Sequence, residues 1–349
     1  MSSLQSLLQT GTKLYLDTVE PSEVDKSLLW GATGATSNPA IISRIIESGS
    51  RDEQIELLLS EGFDDNSIAW QLTDQLVRDA QAKFLPIHQQ SAGDAGWVSF
   101  ELDPILEDPD TLLSDSDRTA RYIELGKTWS KGHENRMIKV PATDAGINAL
   151  ETLAACGVTL NVTLIFTVDQ YARARDAIWR GAQQRKSLQD FKSVYSVFIS
   201  RINVYTNREV TDLSSDAQGI VGILNAKRIW HLNQDFWADK DLPLQQELIF
   251  ASMETKDPKG PAWKYVDAIA GGDIQTNPPE LIEVIENSGQ NFRRKIHKMA
   301  NESIQDEINQ KVDVPTMYRS LMSEGIDKFI QPQRDLLEQI ARKRELLLS

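Results

Sequence analysis

Short apolar segments that alternate with longer helix-like segments most limit what this chain can fold into. Strand-like segments occur at 14–18, 33–38, 97–103, 136–142, 158–166, 194–202, 248–253 and 273–277. Between them, helix-like segments such as 66–90, 117–131, 144–156, 168–186 and 207–226 carry apolar residues three and four positions apart. Parallel strands joined by crossover helices give this alternation. The strand count predicts a closed (β/α)₈ TIM barrel with additional helices.

The domain organisation follows from length and from the lack of any divider. The chain has 349 residues and no repeat, low-complexity tract or Pro/Gly/Ser linker that would split it. Because such barrels commonly exceed about 250 residues as one unit, we expect a single domain over 1–349. Residues 327–349 predict an amphipathic helix appended at the C-terminus. We expect it to cover the barrel, with a contact in an oligomer as the alternative.

Charge and cysteine content exclude several classes of partner and compartment. The formal net charge of −14 argues against nucleic acid and anionic membranes, so a phosphate site has to be locally basic. Cys156 is the only cysteine, which favours a reducing compartment. The first residues lack the pattern of a secretory signal, and no segment has the roughly 18 apolar residues of a membrane span. We therefore expect a cytoplasmic protein.

Polar residues occupy the inward face of three predicted strands. In 97–103, Ser99, Glu101 and Asp103 alternate with apolar neighbours. In 158–166, Leu160, Val162 and Leu164 should face the helices, while Asn161 and Thr163 face the lumen. Lys139 is flanked by two apolar residues in the strand between these two. Burying such groups is a costly way to build a core, which indicates chemistry inside the barrel.

Lys139 is the sharpest candidate among these residues. Burial lowers the pKa of a lysine ammonium in general, and the neutral amine is a nucleophile toward carbonyl groups. Alternation alone leaves three interpretations open: a Schiff-base lysine, an internal ion pair with Glu101, or a lysine that reaches the surface.

The ordered segments of the chain resemble the transaldolases. The resemblance runs from about Leu14 to Gly289 and is carried by LYLDT (14–18), TSNPAII (36–42), VSFELD (98–103), MIKVPAT with DAGINAL (137–150), NVTLIFTVDQY (161–171), SVYSVFISRI (193–202) and ASMETKDP (251–258). It implies a dihydroxyacetone transferase of the pentose phosphate pathway, which exchanges sedoheptulose 7-phosphate and glyceraldehyde 3-phosphate for erythrose 4-phosphate and fructose 6-phosphate. The alternatives are an aldolase that releases free dihydroxyacetone and an inactive homologue that binds sugar phosphates.

The resemblance also assigns roles to individual residues. Lys139 corresponds to the Schiff-base lysine, Asp17 to the acid/base for carbon–carbon cleavage, and Glu101 to a carboxylate acting through a water that Thr163 holds. Asn38, Asn161 and Ser196 resemble the residues that bind the ketol hydroxyls, and Ser99 on the same lumen face is a further candidate. The phosphate is expected near Arg201, Ser252 and Lys256.

Two departures from the family pattern concern the substrate, and other chemistry has little support. Pro104 and Ile105 follow the third strand where related sequences usually have an arginine, and the acidic Glu254 lies among the phosphate candidates. The implied mechanism needs no metal or other cofactor, and the four histidines (His88, His133, His231 and His297) lack the spacing of metal ligands. The resemblance suggests a homodimer.

Overall fold

Eight parallel strands close into a barrel in chain order, as predicted from the sequence. The computed structural model describes residues 2–255 and 260–348, with side chains as far as Leu346. The strands are β1 (Lys13–Leu16), β2 (Gly34–Ala35), β3 (Trp97–Glu101), β4 (Arg136–Pro141), β5 (Leu160–Ile165), β6 (Ser193–Phe198), β7 (Glu247–Ala251) and β8 (Ile274–Asn277). Each strand overlaps one predicted segment, and β1 pairs with β8 to complete the ring.

Helices cover the outside of the barrel and extend over its carboxyl end. Those of the described residues are α1 (Ser3–Leu8), α2 (Pro21–Leu29), α3 (Pro39–Glu47), α4 (Asp52–Ser60), α5 (Asp65–Gln90), α6 (Asp115–Ser130), α7 (Asp144–Ala155), α8 (Val168–Ala182), α9 (Ser200–Glu209), α10 (Val221–Trp237), α11 (Lys264–Ala268), α12 (Pro279–Glu286), α13 (Glu302–Lys311) and α14 (Val314–Leu348). Two short 3₁₀ helices, Pro104–Glu107 and Pro109–Thr111, follow β3. None of these helices has the length and apolarity that crossing a bilayer requires.

The predicted extents of two segments were wrong. The strand over 194–202 stops at Phe198, and its last residues already belong to α9. The single helix over 207–226 is two helices, because α9 ends at Glu209 and α10 begins at Val221. The polar turn between them favours local bonds over a helix: the hydroxyl of Ser214 accepts from the amide of Ala217, and Gly219 has a φ of +76°.

A bulge in β5 also changes one predicted orientation. The pairing of β5 with β6 shifts register between Val162 and Ile165, and Leu164 has a φ of +58°. The extra residue interrupts the two-residue alternation. From the sequence, Leu164 was expected to face the outer helices with Leu160 and Val162. It belongs instead to an apolar cluster with Phe166.

The lumen is filled in layers from its amino end. Lys13, Asp94, Lys192 and Glu247 form a ring of ion pairs, in which Nζ of Lys192 lies 2.6 Å from Oε2 of Glu247 and 3.0 Å from Oδ1 of Asp94. Above it lies a small apolar cluster of Tyr15, Trp97, Met137, Val194, Ile249 and Ile274. Gly34 makes room for this layer, since a Cβ there would stand 2.5 Å from the Tyr15 ring. The polar residues of the mouth come next.

The C-terminal helix is longer than the sequence indicated and packs across the barrel. It begins at Val314 instead of at residue 327. Leu336 and Ile340 join the main apolar cluster, while Met317, Leu321 and Phe329 join the second cluster at the carboxyl ends of β5, β6 and β7. The helix thus packs over the carboxyl ends of these strands.

Candidate active site

The amine of Lys139 lies inside the barrel and is paired with Glu101. Nζ donates hydrogen bonds to Oε2 of Glu101 at 3.0 Å and to the backbone carbonyl of Ser37 at 3.1 Å. Strand register explains the pair, because Glu101 on β3 is the direct neighbour of Lys139 on β4. The two side chains are 6% and 5% exposed. The ion pair considered from the sequence is therefore present, and the interpretation of Lys139 as a surface lysine was wrong.

Burial and pairing act on the Glu101 carboxyl in opposite directions. Loss of water raises its pKa, the neighbouring Lys139 ammonium lowers it, and the effect of burial prevails. The charge of Asp17 raises this pKa further, and that of Arg201 lowers it, so both groups act on the same site. A carboxyl with a raised pKa is a stronger proton acceptor than an ordinary glutamate.

A chain of side-chain hydrogen bonds joins the predicted sugar-binding residues. Oγ of Ser196 donates to Oδ1 of Asn161 at 2.7 Å, and Nδ2 of Asn161 donates to Oγ of Ser99 at 2.9 Å. All three side chains are buried. The register explains their meeting, since Asn161 on β5 is the direct neighbour of Lys139. The structure therefore brings Ser99, Asn161 and Ser196 together beside Lys139.

Asp17 lies at the end of β1 and is held by two threonines that sequence reasoning missed. Oγ1 of Thr36 donates to Oδ1 of Asp17 at 2.6 Å, and Thr36 and Thr276 share a hydrogen bond of 2.7 Å between their hydroxyls. Thr36 follows the short strand β2, and Thr276 lies on β8. Inward alternation on these strands is the signal that could have found them. The carboxylate is thereby fixed at the mouth of the barrel.

Thr163 has a buried hydroxyl without a protein partner. The residue is fully buried on β5, next to Pro141 in the register of β4, and Oγ1 makes no hydrogen bond to the described residues. A buried hydroxyl in this state is a place where ordered water binds in proteins. The predicted role of Thr163 as holder of a water fits this geometry.

Asn38 has a structural role that the sequence analysis did not consider. It precedes α3, and its Oδ1 accepts a hydrogen bond of 3.1 Å from the amide of Ile41. This bond caps the helix, which Pro39 begins. The cap orients the remaining amide nitrogen of Asn38, which is the group left for a ligand.

The phosphate candidates Arg201 and Ser252 lie beyond the ends of β6 and β7. Burial lowers the pKa of the Arg201 guanidinium against the opposing charge of Glu324, and its Nη1 has no hydrogen-bond partner among the described residues. Ser252 has a φ of +56°, and its hydroxyl lies 2.7 Å from that of Ser200, the residue before Arg201. The buried Nη1 of Arg201, which has no hydrogen-bond partner among the described residues, is suited to bind an anion.

The remaining features of the phosphate end lie partly outside the described residues. Lys256 is one of the residues at 256–259 that the structure does not describe. After β3, the carboxylate of Asp103 accepts a bond of 3.0 Å from the amide of Ile105 and so caps the 3₁₀ helix that Pro104 begins. Asp103 thus lies past the end of the strand, where it organises the loop, and burial raises its pKa.

One further residue at the site came from a distant part of the chain. The ring centroid of Phe329 on α14 lies 5.5 Å from Nζ of Lys139, and the residue is 7% exposed. No local pattern in the sequence pointed to this contact. Over the described part of the chain, no group of three or more His, Cys, Asp or Glu side chains is placed to hold a metal ion.

Comparison with known proteins gives consistent similarities over nearly the full chain. A family model described as Transaldolase/Fructose-6-phosphate aldolase matches residues 14–340. The protein named Transaldolase 2 of a Nostoc species is 30% identical, with 99% of each chain covered. Proteins named Transaldolase from Saccharopolyspora erythraea and Mycolicibacterium smegmatis are each 28% identical, covering 97% and 96% of both chains respectively.

Proposed function

The chain belongs to the transaldolase/fructose-6-phosphate aldolase family, and from this premise we propose that it transfers dihydroxyacetone between sugar phosphates through a Schiff base on Lys139. The observation that carries the proposal is the buried amine of Lys139, 3.0 Å from the Glu101 carboxylate. In the proposed direction, sedoheptulose 7-phosphate is the donor and glyceraldehyde 3-phosphate the acceptor. The products are erythrose 4-phosphate and fructose 6-phosphate.

The first step is condensation of the amine with the ketone at C2. For Lys139 to attack, its ammonium must lose a proton, and Glu101 is the acceptor in direct hydrogen-bond contact. The adduct then loses the former carbonyl oxygen as water and becomes a protonated imine. A water held by Thr163 would carry protons between Glu101 and this oxygen. The unpartnered hydroxyl of Thr163 supports that assignment.

The second step is cleavage of the bond between C3 and C4. Asp17 takes the proton of the C4 hydroxyl, the bonding electrons move into the protonated imine, and an aldose phosphate leaves. The three-carbon enamine remains on Lys139 until an acceptor aldehyde arrives. It then attacks the aldehyde carbon, Asp17 returns the proton to the new hydroxyl, and hydrolysis of the imine frees the product. The bond from Thr36 keeps Asp17 oriented for both transfers.

Binding of the substrate divides between an amide-rich end and a basic end. One N–H of the Asn161 amide is committed to Ser99, which leaves its second N–H for a ketol hydroxyl. Ser196 on β6 and Asn38, which follows β2, would bind the other hydroxyls. Arg201 and Ser252 would bind the phosphate, with Lys256 as a further candidate. The acidic Glu254 opposes a dianion there, so the preferred acceptor can differ from that of other family members.

The acceptor decides between transferase and aldolase activity. With fructose 6-phosphate alone, a transferase releases glyceraldehyde 3-phosphate only up to about one equivalent per site, because the enamine stays bound. Adding erythrose 4-phosphate should then start steady turnover to sedoheptulose 7-phosphate. Continuous release of free dihydroxyacetone without acceptor would establish the aldolase instead.

A substitution distinguishes an active enzyme, transferase or aldolase, from an inactive homologue that only binds sugar phosphates. Lys139→Met should lower turnover by at least about a thousandfold, since the nucleophile is gone. Lys127→Met is the matched control, because Lys127 is an exposed lysine in the last turn of α6, away from the mouth. Equal activity of the Lys139 variant and wild type would refute the proposal.

We also propose that residues 1–349 form one cytoplasmic domain that assembles as a homodimer. The apolar clusters shared by α14 and the barrel support a single domain. The single cysteine and the charge of −14 fit a reducing compartment and no nucleic-acid partner. Light scattering after size-exclusion chromatography tests the assembly, and the mass of a monomer would contradict the proposed homodimer.

A further inference from the structure

We propose that Phe329, on a helix outside the barrel, is a positioning residue of the active site: its ring covers the amine of Lys139 and protects the bound three-carbon unit from water. The inference rests on the proposed Schiff-base function. It goes further by naming the element that makes transfer prevail over release of free dihydroxyacetone.

One face of α14 lies across the barrel mouth. Met322, Gly325 and Phe329 are three and four residues apart, so they share this face. Nε2 of Gln170 donates to the sulfur of Met322 at 3.2 Å. Phe329 lies furthest into the site, with its ring centroid 5.5 Å from Nζ of Lys139. The helix therefore touches the barrel in three successive turns, the last of them at the reactive nitrogen.

Gly325 lies where α14 comes close to β5 and to Arg201. A Cβ at this position would stand 3.2 Å from Cδ2 of Leu164 and 3.5 Å from Nη1 of Arg201. The positive φ of Leu164 puts its side chain in the cluster that α14 joins. The bulge in β5 and the glycine in α14 thus fit together over the phosphate candidate. Closure at Arg201 and closure at Lys139 come from the same helix.

Ion pairs hold the helix on both sides of the Phe329 turn. Before it, Nη2 of Arg208 on α9 donates to Glu324 at 2.9 Å. After it, Arg334 pairs with Asp108 and, at 3.1 Å, with Asp110 in the loop that follows β3. These contacts join α14 to opposite parts of the mouth. They hold the turn of α14 that carries Phe329.

Protection by the ring has a defined chemical consequence. Loss of the three-carbon unit needs one proton on the enamine carbon and one water adding across the carbon–nitrogen double bond. The bond to Nζ then breaks, which gives dihydroxyacetone and the free amine. An aromatic ring over Nζ removes bulk water from this bond and also attracts the cationic imine. The water assigned to Glu101 and Thr163 remains for normal turnover.

The test measures how the intermediate partitions. Wild type and variants receive fructose 6-phosphate and erythrose 4-phosphate, and free dihydroxyacetone is measured against sedoheptulose 7-phosphate. Phe329→Ala should raise the ratio of release to transfer by about tenfold or more. Phe329→Leu keeps most of the bulk and should restore a ratio near that of wild type if exclusion of water is the main effect.

A control on the same helix separates loss of protection from undocking of α14. Met317 is buried in the same cluster, about 18 Å along the helix from Phe329 by the rise per residue. Met317→Ala removes packing near the start of the helix, while the ion pairs of Glu324 and Arg334 still hold the Phe329 turn, so the ratio should stay unchanged. An unchanged ratio in Phe329→Ala, or an equal rise in Met317→Ala, would overturn the inference while the Schiff base stands. Absence of transfer in wild type would instead overturn the proposed function itself.

Discussion

Replacing Glu101 with glutamine tests the division of proton transfer at the site. The amide oxygen of the substituted side chain could still accept from Nζ of Lys139, which now lies 3.0 Å from the carboxylate. The hydrogen bond is kept, but the buried Lys139 ammonium loses its counter-charge, so the free energy of unfolding should fall by about 3 kcal/mol. An amide cannot take the proton that the Lys139 ammonium must lose. Loss of a general base typically lowers turnover by about a hundredfold to ten-thousandfold, or about 3 to 5 kcal/mol of barrier.

The partner variant Thr163→Val shows whether both residues act through one water. It removes a hydroxyl that has no protein partner and keeps the volume of the side chain. We expect about a tenfold loss of turnover, which corresponds to one hydrogen bond to water. In the double variant Glu101→Gln with Thr163→Val, turnover should fall no further than about twofold below Glu101→Gln alone. The assay is steady-state transfer at saturating donor and acceptor, with thermal melting as a control for folding. Multiplicative losses, or more than half of wild-type turnover in Glu101→Gln, would refute this reasoning.

Three further predictions concern the phosphate end and the amino end of the barrel. Arg201→Met should raise KM for fructose 6-phosphate about tenfold to a hundredfold and leave KM for unphosphorylated fructose nearly unchanged; an equal change for both sugars would exclude a phosphate role. Lys192→Met leaves two carboxylates at the amino end of the barrel with Lys13 as their remaining lysine partner. The free energy of unfolding, measured in urea, should therefore fall by about 3 kcal/mol, and a decrease of less than about 1 kcal/mol would contradict this. Asp273 directly precedes β8 at the amino end of the barrel, and burial raises its pKa to about 6. The stability that its proton provides is therefore full below about pH 4 and is lost as pH rises through 6. Between pH 4 and pH 7, the free energy of unfolding of the wild type should fall by about 3 kcal/mol relative to that of Asp273→Asn. Parallel pH profiles of the two proteins would refute this prediction.

The barrel and the centre of the site could be predicted because both depend on local alternation. Polar residues at every second position placed Glu101, Lys139 and Asn161 in the lumen, and parallel register then made them neighbours. The bulge at Leu164 interrupts this alternation, and nothing in the sequence signals that this leucine has a positive φ. The sequence was therefore sufficient wherever the strands were regular.

Contacts between distant segments could not be predicted from local pattern. The backbone carbonyl of Ser37 accepts from Lys139, and a carbonyl carries no signal of residue type. The helix predicted from residue 327 contains Phe329, but only the packed α14 shows that this ring meets the amine of Lys139. Both contacts depend on the packed structure of the whole chain.

Reductive trapping tests the central claim most directly. The protein is incubated with fructose 6-phosphate and sodium borohydride, digested, and analysed by peptide mass spectrometry. The reduced adduct should add the mass of dihydroxyacetone less one oxygen to the peptide that contains Lys139, and to no other peptide. Failure to find an adduct, or an adduct on a different lysine such as the buried Lys192, would contradict the account.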